Sequence, residues 1–231
     1  MDWRKIVLIA TLIFPGAIRT PAGEPQESVV SAKLKWSLKQ VFKVPESALY
    51  DYARTVIYVS NINGSPGAAD GNGFISRVSS DGKLLNLHWI NGLNAPKGMA
   101  IYRDTLYVAD LNAIALIDLN KAKLIGKIDL KAKFLNDITV DRDGTLFCSD
   151  NVDDIIYVVR NGQPTVWLSG GKHNPNGLLA EANRLVMLSS ATGYVNFIDY
   201  QTKTLRKWVR IDGSPDGIVA CRNGYLLSDF R

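Results

Sequence analysis

From the middle forties to its end, the chain is written in short apolar runs closed by Gly, Pro, Asn or Asp. None keeps a helical 3.6-residue period over about eleven residues. β-Branched and aromatic residues dominate the runs, which predicts strands. One stretch shows the pattern best: Ile138 to Val140, the turn Asp141-Arg142-Asp143-Gly144, Thr145 to Ser149, Ile155 to Val159, the turn Asn161-Gly162, and Thr165 to Leu168. The stretch before it offers Met99 to Tyr102, Thr105 to Ala109, Ile114 to Asp118 and Leu124 to Leu130. The stretch after it offers Leu178 to Ala180, Arg184 to Ser189, Val195 to Tyr200 and Leu205 to Ile211.

These groups of four strands repeat. The tripeptides Pro96-Lys97-Gly98, Leu135-Asn136-Asp137, Pro175-Asn176-Gly177 and Pro215-Asp216-Gly217 have middle residues 39, 40 and 40 positions apart. That period suits a four-stranded propeller blade. Pro45-Glu46-Ser47 is an earlier member, 51 residues before Lys97, and the surplus length falls in the loop from Asn63 to Gly73, rich in Gly, Pro, Asn and Asp. The expected fold is all-β, a six-bladed β-propeller incomplete in this chain, with about four and a half blades. A closing strand is expected in Lys33 to Val44, where Leu34, Trp36, Leu38, Val41 and Phe42 lie. A sixth blade would need roughly 50 to 60 further residues at this period, so the propeller, residues 33–231, is expected to be C-terminally truncated.

Charge changes the picture at the N-terminus. Met1 to Lys5 form a basic start, Ile6 to Phe14 an apolar run too short to cross ~30 Å of hydrocarbon, and Pro15-Gly16 and Ala22 a cleavable end. Residues 1–23 are therefore read as a signal peptide and 24–32 as a linker, which places the mature protein in the periplasm or outside the cell, with no membrane contact. The 27 basic and 22 acidic residues give +5, and loss of Arg4, Lys5, Arg19 and Asp2 leaves +3. The remaining basic residues are scattered without interleaved aromatics, so no nucleic-acid partner is expected.

Composition narrows the chemistry. Two cysteines and two histidines exclude a zinc module or a histidine-built metal site. Cys148 and Cys221 fall in non-adjacent blades, too far apart for a Cα separation of ~5.5 Å, and are expected as buried free thiols. No Gly-x-Ser-x-Gly elbow surrounds Ser79-Ser80 or Ser189-Ser190, and Gly170-Gly171-Lys172 does not join a strand to a helix, so neither a serine hydrolase nor a phosphate loop is supported. Trp36, Trp89, Trp167 and Trp208 occupy late-blade positions and are expected to pack between blades.

The innermost strand of every propeller blade faces one axis. One repeat position is therefore displayed several times around a small volume, and here it reads Glu46, Lys97, Asn136, Asn176, Asp216. Two carboxylates and two amide carbonyls suit Ca²⁺, Mg²⁺ or Mn²⁺. The same residues could instead solvate a channel or cap turns. His173, close before Asn176, is a further candidate at the channel mouth.

The segments Val44 to Asp51, Phe134-Leu135-Asn136-Asp137, Asn174 to Leu178 and Ser214 to Gly217 resemble the regucalcin and gluconolactonase family (senescence marker protein, sugar lactone lactonase) of six-bladed propellers. The likeness spans about residues 40–230, and the phrasing of residues 58–62, 70–75 and 94–99 looks like an exported bacterial branch. The resemblance implies one divalent cation on the axis, Ca²⁺ first with Mg²⁺, Mn²⁺ or Zn²⁺ as alternatives, held by Glu46, Asn176 and Asp216. It implies substrate contacts from Asn136, with Lys97 and His173 added here, and Asp216 or Asp137 as the base of a metal-assisted lactone or ester hydrolysis. The family's substrate-holding Arg two residues before the Asn-Asp pair is replaced by Phe134, and Lys97 brings a cation to the axis; both depart from the pattern. The alternative is a non-catalytic periplasmic propeller, like NHL modules, that binds a small ligand or a protein. A complete chain is expected to be a monomer.

Overall fold

The computed structural model describes residues 33–221 and 224–230, with the backbone of a short strand at 11–13. Its described residues form strands and no helix. Blade one is β2 (Pro45–Asp51), β3 (Val56–Asn61), β4 (Gly73–Ser79) and β5 (Leu84–Leu93). Blade two is β6 (Pro96–Tyr102), β7 (Thr105–Asp110), β8 (Ala113–Asp118) and β9 (Lys123–Asp129). Blade three follows as β10 (Leu135–Val140), β11 (Leu146–Asp150), β12 (Ile155–Arg160) and β13 (Gln163–Ser169), and blade four as β14 (Pro175–Ala180), β15 (Arg184–Ser189), β16 (Tyr194–Asp199) and β17 (Leu205–Arg210). Each is an antiparallel meander in sequence order. Blade five is a three-stranded sheet, with β18 (Pro215–Cys221), β19 (Gly224–Asp229) and β1 (Thr11–Ile13) as its third strand.

Turn chemistry closes the hairpins. Asn161 and Gly162 both take positive φ, +50° and +76°, as a two-residue hairpin turn requires. At the β10–β11 turn the Asp141 carboxylate accepts the N–H groups of Asp143 and Thr145, and Gly144 sits at φ +89°. Burial falls from the axis outward. Every residue of β11 is buried because both faces meet another blade, whereas outermost β13 is mostly exposed.

The core lies in the seams between successive blades. Tyr58, Ile75, Met99, Leu106 and Ile117 fill the first, and Ala109, Ile114, Leu135, Ile138 and Cys148 the second. Phe147, Trp167, Leu178 and Met187 fill the third, and Val186, Leu188, Ile218 and Tyr225 the fourth. Each large apolar side chain so buried contributes about 1.5–3 kcal/mol. Five sheets share four seams, and among the described residues no core joins blade five to blade one. The fold is an open, incomplete propeller.

Three expectations change. Residues 33–44 contain no strand: Gln40 and Val44 take φ +58° and +51°, which breaks an extended path, and the Trp36 indole donates to Ser80 O (3.1 Å) against Gly82. The strand that pairs with blade five is instead β1, with Thr11 opposite Leu227 and Ile13 opposite Tyr225. It falls within the stretch read as a leader; the rest of that leader and the linker, 1–10 and 14–32, lies outside the described residues. Cys148 is buried as expected, but Cys221, the last residue of β18, is half-buried; both are free thiols. Trp89, Trp167 and Trp208 pack at seams, Trp167 against Phe147 and Tyr200 and Trp208 against Phe197 and Tyr225, while Trp36 lies on the loop.

Candidate axial site

The repeated tripeptides lie inside the innermost strands, and each is a β-bulge. Pro45 pairs with Asn61 but Ala48 with Val59, and the register skips in the same way at Pro96/Met99, Leu135/Ile138, Pro175/Leu178 and Pro215/Ile218. Two residues of the motif thus oppose one on the second strand, which bends the strand and turns the middle side chain toward the axis. In three blades the opposing residue is Ser60, Ser149 or Ser228. Its hydroxyl accepts the N–H of the motif's third residue, Ser47 (2.9 Å), Asp137 (3.0 Å) or Gly217 (2.7 Å).

A second device fixes the approach to each bulge. The last residue of the second strand accepts N–H groups from the segment entering the blade: Asn61 from Lys43, Asp110 from Asn94 (2.7 Å) and Ala95 (2.9 Å), Asp150 from Lys133 (2.8 Å) and Phe134 (3.2 Å), and Asp229 from Ser214. These positioning residues escaped sequence reasoning. Their signal was the dipeptide Ser-Asn or Ser-Asp closing second strands, at 60–61, 149–150 and 228–229.

Neighbouring bulges abut. A Cβ on Gly177 would stand 2.2 Å from Asp216 O, so the inner strands of blades four and five touch only because that residue is Gly. Asp137 brackets blades three and four: one carboxylate oxygen accepts Ile138 N–H (2.8 Å) and the other Leu178 N–H (2.8 Å). The Ser149 hydroxyl donates to Asn176 O (2.8 Å) across the same seam.

Inside the ring is a cavity of about 1300 Å³, lined by Glu46, Lys97, Asn136, Asp137, Asn176 and Asp216 among others. Six of the seven candidate residues thus meet around one space. His173 does not. The Asp154 carboxylate accepts the N–H groups of Lys172, His173 and Asn174, and positive φ at Lys172 and Asn174 turns the imidazole into a separate small crevice with Ile156, Leu168 and Met187.

Electrostatics follow from burial. Burial holds the Glu46 carboxyl well above the ordinary carboxylate range; Asp216 and Asp137 add to the rise and Lys97 opposes it. Asp137 is pushed up to about 7, chiefly by burial, against the two N–H donors that favour its anion. Asp216 is raised by burial, with the Asn176 amide donating to it in the other direction. Lys97, only 2% exposed, is lowered by burial and raised in part by Glu46. Its Nζ donates to Ala95 O (3.2 Å) and stands 4.2 Å from the centre of the Phe134 ring. The two departures noted in sequence therefore form one unit.

Donor chemistry decides what could bind. Asn176 is buried, its amide N–H engages Asp216, and its Oδ1 is buried with no partner. An orphaned carbonyl oxygen beside carboxylates that repel one another fits a hard cation. Among the described residues no three acidic, histidine or cysteine side chains gather closely enough to hold a metal, so a cation here would need the Asn176 amide oxygen with Glu46 and Asp216.

No family model matches the sequence, and no curated protein matches it. Solved structures do. A chain in a crystal structure of a nidogen/laminin complex superposes with TM-score 0.68 at 18% identity, covering 84% of this chain and 74% of that one. Streptogramin B lyase gives TM-score 0.56 at 14% identity over 80% of this chain and 76% of its own. The computationally designed Ika8 protein gives 0.54 at 11%, this chain spanning 58% of its length. At these identities the likeness establishes the fold alone: the chain is a β-propeller protein.

Proposed function

We propose that the axial cavity is the active site of an exported, metal-dependent hydrolase of lactone or ester type, similar to regucalcin and gluconolactonase. The observation that carries this reading is the partnerless Asn176 Oδ1 beside Asp216, with Glu46 at the same repeat position. Glu46 and Asp216, when ionised, carry two negative charges, which a divalent cation would neutralise. Glu46, Asn176 Oδ1 and Asp216 would hold it, Ca²⁺ first by their oxygen character. Bound there, such a cation supplies polarisation of a carbonyl and a more acidic water.

The chain's own residues divide the remaining work. Asp137 titrates at about 7 and is oriented by two backbone N–H groups, which suits a general base at neutral pH. Asn136, half-buried on the cavity wall, offers an amide to a substrate oxygen, and the Phe134 face beside it favours an uncharged, partly apolar substrate.

The test is a panel of uncharged lactones and aryl esters assayed with Ca²⁺, Mg²⁺, Mn²⁺ and Zn²⁺ in turn. The reading expects Glu46→Gln to lower turnover by on the order of a hundredfold or more; undiminished activity in that variant overturns it. The second reading, a binding propeller without chemistry, is favoured by the Lys97–Phe134 unit, which stands at the axis where the family's pattern has neither residue. Ligand retention by metal-free protein with no turnover would support it.

A further inference from the structure

We infer that Lys97 is a reactive amine that captures an uncharged aldehyde or ketone in the axial cavity as an imine. The inference goes beyond the hydrolase reading and needs no cation.

Lys97 differs from the other lysines of the fold. Lys83, Lys121, Lys127 and Lys133 each hold a carboxylate within 3.4 Å, and the first, second and last of these are well exposed. Lys97 is 2% exposed and forms no salt bridge among the described residues; Glu46 and Asp110 act on its Nζ only from beyond ion-pair distance. Its one hydrogen bond goes to Ala95 O, and the Phe134 ring covers another side. The neighbouring Asp110 is committed elsewhere, to Asn94 N–H, Ala95 N–H and the Lys127 ammonium at 2.9 Å. An ammonium so placed has one acceptor for three donors, which burial makes expensive; a neutral amine needs only that one and keeps a lone pair. A desolvated neutral lysine in a cavity wall is the nucleophile that imine chemistry requires.

The step balances without an oxidant or reductant. The Nζ lone pair attacks the carbonyl carbon and the C=O π pair moves to oxygen. A proton passes from nitrogen to that oxygen. The hydroxyl then leaves with a second proton as water, while the C=N bond forms. The cavity's lining sets the class of carbonyl compound. Ile62, Met99, Ala100, Ile101 and Phe134 line the same space, so an uncharged, partly apolar carbonyl compound is the class it favours.

The experiment uses the full chain in EDTA, where failure of the metal-dependent reading has no influence. Benzaldehyde and sodium cyanoborohydride are added at neutral pH, and the modified lysines are located by peptide mass spectrometry. The inference expects a benzyl group at Lys97 in native protein. It expects loss of that preference in urea and no competition by glyoxylate, an anionic aldehyde. Lys97→Arg, with an unchanged melting temperature, should lose the native label. Native protein labelled only at exposed lysines, or Lys97 labelled equally in native and urea-unfolded protein, would overturn it; this readout stands even if the variant fails to fold.

Discussion

Blade three and blade five carry the same motif on the same scaffold, but only one of them has a neighbour on each face. In β10 of blade three, Leu135 and Ile138 are 0% and 2% exposed. In β18 of blade five, Ile218 is still covered by blade four, but Val219 is 54% exposed and Ala220 and Cys221 are not buried. The side chains are no less apolar in blade five; what differs is the missing seam. Seam packing, more than strand pairing, therefore sets how firmly each motif is held. The candidate site spans both conditions: Asn136 and Asn176 stand on blades enclosed on both sides, Glu46 and Asp216 on the two that flank the opening.

The largest expected contrast comes from that difference. Leu135→Ala, in the seam of blades two and three, should cost about 2–5 kcal/mol in urea unfolding. A cost below about 1 kcal/mol would mean that the seams are not the core.

Asp137, locked between blades three and four, makes stability depend on pH. Its carboxyl titrates at about 7 in the folded chain against 3.8 ordinarily, so between those values the folded state holds a proton that the unfolded state has released. Stability then falls as pH rises from about 4 to 7, by up to about 4 kcal/mol, and levels off above. Asp137→Asn removes this carboxyl's share of the slope while losing one of two backbone hydrogen bonds. Melting curves of the two proteins should cross, with the wild type more stable at pH 4 and the variant at pH 8; parallel curves would contradict the burial of this carboxyl.

The smallest effect is expected at the open side. Val219→Ala should change unfolding free energy by no more than about 0.5 kcal/mol. A cost equal to that of Leu135→Ala would show that the blade-five face is covered in solution and would erase the contrast.

Much of the fold was legible in sequence because a propeller writes its period in turn residues. Strands β15 and β12 lie where the β-branched runs put them, Arg184–Ser189 and from Ile155. The bulges were not legible. A Pro-x-Gly tripeptide reads as a turn, and only the Ser and Asp partners on the second strand reveal that it lies within a strand. The pairing of Lys97 with Phe134 was hidden for a different reason: the two come from separate blades, and each alone looked like a departure. His173 shared its neighbourhood in sequence with Asn176, but the Asp154 carboxylate, by gathering three successive N–H groups, turned it away.

Calcium titration of chelator-treated protein, followed by calorimetry, reads the axial cation site itself. Saturable binding of one Ca²⁺ per chain is expected, abolished by Asn176→Leu and by Glu46→Gln in variants that keep the wild-type β-sheet circular dichroism. Wild-type protein that binds none of Ca²⁺, Mg²⁺, Mn²⁺ and Zn²⁺, or an Asn176→Leu variant that binds as the wild type does, would contradict the account.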